Sequence, residues 1–211
     1  MLLTYIQIYA IMYNHNTLKG REPMAEPKTI LVYSAKGGCG KGQIADEIAF
    51  YYDRCGTPYN FYDLDGQGGD CHEPQEQDCA EVSIVDTPGY LSEDTRKWID
   101  GADVIVVPTK PTSRDIPPLQ TTLDVIEAAG KAENTIIVIN CFNHYTAAAD
   151  FKEWLTGQYP NYKIYTVVQS ELFVQASVQG RSVVGFKGNS TAADNIKTLT
   201  KAINKMITER K

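Results

Sequence analysis

Residues 34–43 read Ser34-Ala35-Lys36-Gly37-Gly38-Cys39-Gly40-Lys41-Gly42-Gln43, with three glycines and two lysines inside one six-residue window. Those residue types suit one task, the binding of a polyanion. Glycines let the backbone bend so that successive N–H groups converge on a point where phosphate oxygens can accept them. A helix starting at the end of such a loop adds unpaired N–H donors and the positive end of its dipole. Lys41 would add a full charge at the β- and γ-phosphates. The apolar run TILVYS precedes the loop and the helix-spaced run IADEIAFYY follows it. That strand-loop-helix context separates a phosphate loop from an ordinary glycine turn. Gly37, Gly38, Cys39, Gly40, Lys41, Gly42 and Gln43 are therefore the candidate nucleotide contacts.

The elements that must position this loop can be read from apolar periodicity. β-Branched, continuous runs occur at 29–34, 81–86, 103–108 and 134–140, with weaker ones at 58–63 and 163–168. Continuous rather than alternating runs belong to strands buried on both faces. Helical spacing fills 41–54, 92–100, 115–129, 147–158, 170–179 and 190–209. Strand-helix alternation of this kind predicts an α/β fold, a doubly wound, mostly parallel sheet with helices on both faces and right-handed crossovers. In such sheets ligands sit at the carboxyl ends of the strands. Asp63-Leu64-Asp65-Gly66-Gln67-Gly68 follows the second predicted strand, and Asp86-Thr87-Pro88-Gly89 ends the third. A carboxylate at Asp86 suits a Mg²⁺ shell, reached through water because that ion keeps several of its waters.

A standard P-loop would have Gly at 35, where this chain has Ala, and the run is K-G-G-x-G-K with a further lysine at 36. It resembles the deviant Walker A motif of the ParA/MinD superfamily of P-loop ATPases, plasmid partition ParA-like proteins above all. The resemblance extends in order along residues 28–209. The 63–68 run is similar to that family's D-x-D-P-Q-G segment, and 86–89 to its D-x-P-P end. Pro108-Thr109-Lys110-Pro111-Thr112-Ser113 with Asp115 is similar to its P-x-x-P-S-x-x-D loop. Asn140 stands where relatives face the adenine, and Phe173-x-x-Ala176-x-x-x-Gly180-x-Ser182-Val183 resembles the C-terminal pattern. The resemblance implies ATP or ADP with Mg²⁺ as cofactors and a nucleotide-dependent homodimer. In it Lys36 acts in trans on the partner's nucleotide, Lys41 holds the phosphates, Asp65 orients the attacking water and Asp86 belongs to the metal shell. It also implies a ParB-like or other stimulating partner protein.

The chain departs from the family where the metal should bind. After Lys41 the P-loop pattern requires Ser or Thr, whose hydroxyl ligates Mg²⁺ directly; here Gly42 has none, and Gln43 replaces the next Thr. Water or the Gln43 side chain could take the hydroxyl's place. Two readings follow. One is a ParA-like ATPase serving partition of a plasmid or another mobile element. The other is a hydrolysis-impaired nucleotide switch or adaptor in conjugation or plasmid maintenance. A GTPase reading fails on Asn140-Cys141-Phe142-Asn143, which lacks the Lys and Asp of N-K-x-D.

Composition bounds these readings. The 211 residues, 43% hydrophobic and 22% charged, suit one domain with a real core and exclude a disordered chain. The net charge of −6 hides an asymmetry: residues 187–211 carry six Lys or Arg against two acids. There Ile196, Leu199, Ile203, Met206 and Ile207 recur at helical spacing, predicting a packed final helix whose lysines could meet DNA phosphates without sequence preference. No aromatic anchors stand on its apolar face, which argues against a membrane tail. Residues 63–86 hold eight acids and no Lys or Arg, read as a solvated acidic loop in preference to a trimmed partner-binding or switch surface. The five cysteines form no CxxC pair and read as reduced thiols of a cytoplasmic protein. His15, His72 and His144 read as surface residues. Residues 1–23 form an extension of uncertain status, too short in its apolar part to span a membrane, and 24–211 the ATPase-like domain.

Overall fold

The computed structural model describes residues 26–66, 71–90 and 93–209. The expectations for residues 1–23, for Gln67 and Gly68, and for the basic pair Arg210 and Lys211 fall outside them. Six strands form one sheet: β1 (Lys28–Val32), β2 (Tyr59–Asp63), β3 (Val82–Asp86), β4 (Val104–Thr109), β5 (Thr135–Phe142) and β6 (Lys163–Val168). Their order is β2-β3-β1-β4-β5-β6, and every pairing is parallel. Seven helices among the described residues connect and cover them: α1 (Lys41–Cys55), α2 (Glu93–Gly101), α3 (Ile116–Ala128), α4 (Thr146–Gln158), α5 (Leu172–Ser177), α6 (Val183–Phe186) and α7 (Thr191–Thr208). The doubly wound α/β reading of the sequence is the observed architecture.

Alternate strand residues feed two cores, as the two-residue period of a strand demands. Ile30, Val32, Val104, Val106, Ile136 and Val138 face one side, against Ile44, Ile48 and Tyr52 of α1 and Ile196, Leu199 and Ile203 of α7. Leu31, Ile105, Val107, Ile137 and Ile139 face the other, against Ile99 of α2, Leu119, Leu123 and Ile126 of α3 and Leu155 of α4. These side chains are sealed from solvent, and each contributes about 1.5–3 kcal/mol of burial. The apolar stripe predicted for the final helix is buried in α7, with Ser190 capping its start by accepting from Ala193 N at 3.2 Å.

The predicted helix at 170–179 is shorter than its sequence pattern suggests. It stops at Ser177, the chain turns through Gly180 (φ 60°), and a second short helix restarts behind the Ser182 cap. Of the acidic stretch after β2, residues 71–81 form a loop, with Gln75 in an antiparallel bridge to Phe61. Among the described residues no helix is long and apolar enough to cross a membrane.

Candidate functional site

Three strands end in line. Register pairs Val32 of β1 with Asp86 of β3, and Asp86 with Asp63 of β2. The segments after them therefore share the carboxyl edge of the sheet, beside central strand β1, where open α/β sheets place their ligands. Thr87 ties this edge together, since its N–H (3.3 Å) and its hydroxyl (2.9 Å) both donate to Val32 O. Leu64 N donates to Asp86 O at 2.9 Å, bringing the Asp63-Leu64-Asp65 segment to the end of β3.

The glycine loop leaves β1 at this edge and becomes α1. Gly37 and Gly38 are exposed, and a side chain added to either would point into open space, so the concave face is free for a ligand. Gly40 is the N-cap of α1 with φ 95°, a left-handed conformation that costs any other residue dearly. Lys41 is 5% exposed and folds over the loop, its Nζ donating to Lys36 O at 3.4 Å. Exposed glycines, an unpartnered helix start and a held lysine fit a polyphosphate. Cys39 faces inward, its Sγ donating to Lys36 O at 3.3 Å. Burial pushes its thiol pKa up despite the nearby Ser34 and Lys41, which disfavours the reactive thiolate.

Neighbouring elements grip the loop from three sides. Thr122 of α3 accepts from Ala35 N at 3.0 Å while donating to Pro118 O at 2.8 Å. Gly89, just past β3, passes so close that a Cβ there would lie 2.8 Å from Gly37 N. Asn140, at the end of β5, donates through Nδ2 to Cys39 O at 3.0 Å. Lys36 is folded back onto the chain, its Nζ 2.7 Å from Asp115 Oδ1 and 3.4 Å from Arg114 O. Asp115 is itself 2% exposed and also receives the Thr112 hydroxyl.

The carboxylates differ in setting. Asp86 is buried at the strand end, and Asp63 Oδ1 accepts from Asp65 N (2.9 Å) and Gly66 N (3.1 Å) in a tight turn that leaves Asp65 partly exposed. For Mg²⁺ the donor set is Asp86 with no hydroxyl at Gly42, and the Thr87 hydroxyl is already engaged by Val32 O. The residues fit a magnesium ion held through water rather than by a direct protein hydroxyl.

His72 is not the surface residue expected from sequence. Its ring lies between two α1 carboxylates, Nδ1 2.7 Å from Asp46 Oδ1 and Nε2 3.1 Å from Asp53 Oδ2. Asp46 also accepts from Cys71 N (2.8 Å) and His72 N (3.0 Å), and Phe50, Phe61 and Tyr59 surround the ring. Burial lowers the imidazole pKa, but the hydrogen bonds to Asp46 and Asp53 outweigh it and leave the value raised. Glu47 is a second buried link. It accepts from the Ser182 hydroxyl (2.6 Å) and Val183 N (2.8 Å), and burial pushes its pKa up. The only sequence sign of either was helix periodicity: 46 and 53 are seven apart, two turns along one face.

No protein-family profile and no curated protein matches the chain. Solved structures do, and they define the class first: an α/β P-loop nucleotide-binding fold. McdA of Cyanothece in complex with ATP superposes with a TM-score of 0.69 at 15% identity, over 86% of this chain and 98% of that one. The MinD cell division protein of Aquifex aeolicus gives 0.69 at 13%, over 84% and 97%. A plasmid partition protein of Borrelia burgdorferi bound to AMPPNP gives 0.63 at 12%, over 88% and 100%. The chain shares the α/β fold of these proteins.

Proposed function

We propose that this chain is a ParA-like ATPase that binds ATP, dimerises on it and acts in partition of plasmid or other mobile-element DNA. The observation that carries the reading is the glycine loop at the carboxyl edge of β1, with Lys41 held over it and Asp86 at the neighbouring strand end. Gly37 to Gly40 and the first turn of α1 hold the phosphates with Lys41. Asp86 serves the magnesium shell, which polarises the phosphates when bound. Asp65, on an exposed turn at the same edge, orients water, and Lys36 leaves Asp115 to reach the partner subunit's nucleotide. DNA phosphates meet the lysines of α7: Lys201 is exposed, while Lys197 is tied to Asp194 at 3.0 Å and the exposed Lys205 pairs with Glu209 at 3.6 Å. Release follows stimulation by a partner protein.

A second reading, a nucleotide switch without turnover, is favoured by one observation: no hydroxyl at Gly42 is available to the metal. ATP hydrolysis by wild type, Gly42→Thr and Asp86→Ala separates the two. The expected result is slow wild-type turnover, abolished by Asp86→Ala and raised about tenfold or more by Gly42→Thr, since metal and positioning dominate phosphoryl transfer. Turnover seen only in Gly42→Thr selects the switch. A chain that stays monomeric with ATP, by light scattering, removes the dimer from the proposal.

A further inference from the structure

We infer that Asn140 is a positioning residue: its carboxamide sets the backbone of the phosphate loop, and it does not read the base. The inference rests on the nucleotide reading above. The side chain is 2% exposed, and both ends of the amide are engaged. Nδ2 donates to Cys39 O at 3.0 Å, and Oδ1 accepts from Cys141 N at 2.9 Å. Flipping the amide would set oxygen against carbonyl oxygen and N–H against N–H, so this orientation alone satisfies both neighbours.

The backbone is shaped to hold that amide in place. Cys141 has φ 54°, the one positive value at a non-glycine among the described residues, and the β5–β6 register shifts between Ile139 and Phe142. Such strain persists only where the surroundings determine it, and it gathers at functional sites. Here it turns the end of β5 toward the loop. The fit is reciprocal: a Cβ on Gly40 would sit 2.1 Å from Asn140 Nδ2. Gly40 is therefore glycine for two reasons, its φ and the amide that occupies the place of a side chain. Turning Asn140 toward a base would break the bond to Cys39 O and leave a buried carbonyl unsatisfied directly beneath the phosphates.

The test titrates the whole chain with two probes, ATP and inorganic tripolyphosphate, which has no base. Asn140→Asp keeps the volume but presents an oxygen to Cys39 O; Asn140→Ala removes the amide. Both variants are expected to lose affinity for both probes by the same factor, about tenfold, the equivalent of one buried hydrogen bond. Loss for ATP alone, with tripolyphosphate bound as by wild type, overturns the assignment and makes Asn140 a base contact. Wild type that binds neither probe refutes the nucleotide reading itself, and is distinguishable because it appears before any substitution. Amide hydrogen exchange without ligand is the second readout, needing only that Asn140→Asp folds. Faster exchange at residues 36–42, with β1 and the middle of α1 still protected, supports the positioning role; an unchanged loop overturns it.

Discussion

The phosphate loop and the acidic segment at 71–81 are both fastened to α1, by different physics. The loop enters the start of that helix and is shaped by glycine dihedrals and neutral hydrogen bonds, one donated to Thr122 and one received from Asn140. The acidic segment meets the helix at Cys71 and His72, and that end is fastened by charge, through His72 between Asp46 and Asp53, while neutral backbone bonds tie Gln75 to Phe61 of β2. Steric shape and amide bonds respond little to pH or salt. A charged clip with one arm on Asp53, whose side chain is 48% exposed, responds to both. One region is therefore built to hold a fixed shape, and the other to be fastened conditionally.

The largest expected effect comes from spoiling the steric side. Gly40→Ala would place a Cβ against the Asn140 amide and force alanine to φ 95°. A loss of about 2–4 kcal/mol in denaturant unfolding is expected, together with loss of nucleotide binding. A variant that unfolds and binds like wild type would show that the loop is not sterically determined.

The charged side should yield less, and conditionally. Asp46→Asn removes the buried arm of the clip and is expected to cost about 1–3 kcal/mol. Asp53→Asn, on the exposed arm, should cost less than about 1 kcal/mol. The sign of the pH effect follows from the raised pKa of His72. The clip's contribution is fully present below the ordinary imidazole value of 6.5 and is lost as pH rises through the higher folded value. Denaturation from pH 5 upward should show that decline in wild type and its absence in His72→Gln. A decline of equal size in His72→Gln would assign it to another group.

Lys36→Ala tests a charged contact of the loop. Its pair with Asp115 is charge-based, and the lysine side chain is 32% exposed while Asp115 is buried. Unfolding should lose about 1–2 kcal/mol, because the buried carboxylate is left with the Thr112 hydroxyl, while ATP-dependent dimerisation is lost. Intact dimerisation and DNA binding in Lys36→Ala would leave Lys36 with its own subunit's Asp115 alone.

Much of this molecule was open to reading before any fold was known. The strands at 29–34, 81–86, 103–108 and 134–140 stand out because a parallel sheet buried on both faces requires continuous apolar runs. The loop at 34–43 stands out because phosphate binding needs glycine and lysine at short range in the chain. The missing hydroxyl at Gly42 is equally a matter of one position. By itself, then, the sequence determined the α/β class, the strand ends that carry Asp63 and Asp86, and a glycine-rich loop with no hydroxyl at position 42.

Contacts between distant residues could not be read this way. Asn140 is 101 residues from Cys39, Ser182 is 135 from Glu47, and His72 is 26 from Asp46. No local pattern marks such pairs, because any of many polar residues could meet once the chain folds. Only the tertiary structure decided that Asn140 lies beneath the loop, that His72 is enclosed between two carboxylates, and that Lys36 rests on Asp115. The physical reason is that glycine geometry and helical periodicity act between neighbours in sequence. The partners of a buried polar group, in contrast, are set by how the sheet brings strand ends and helix faces together.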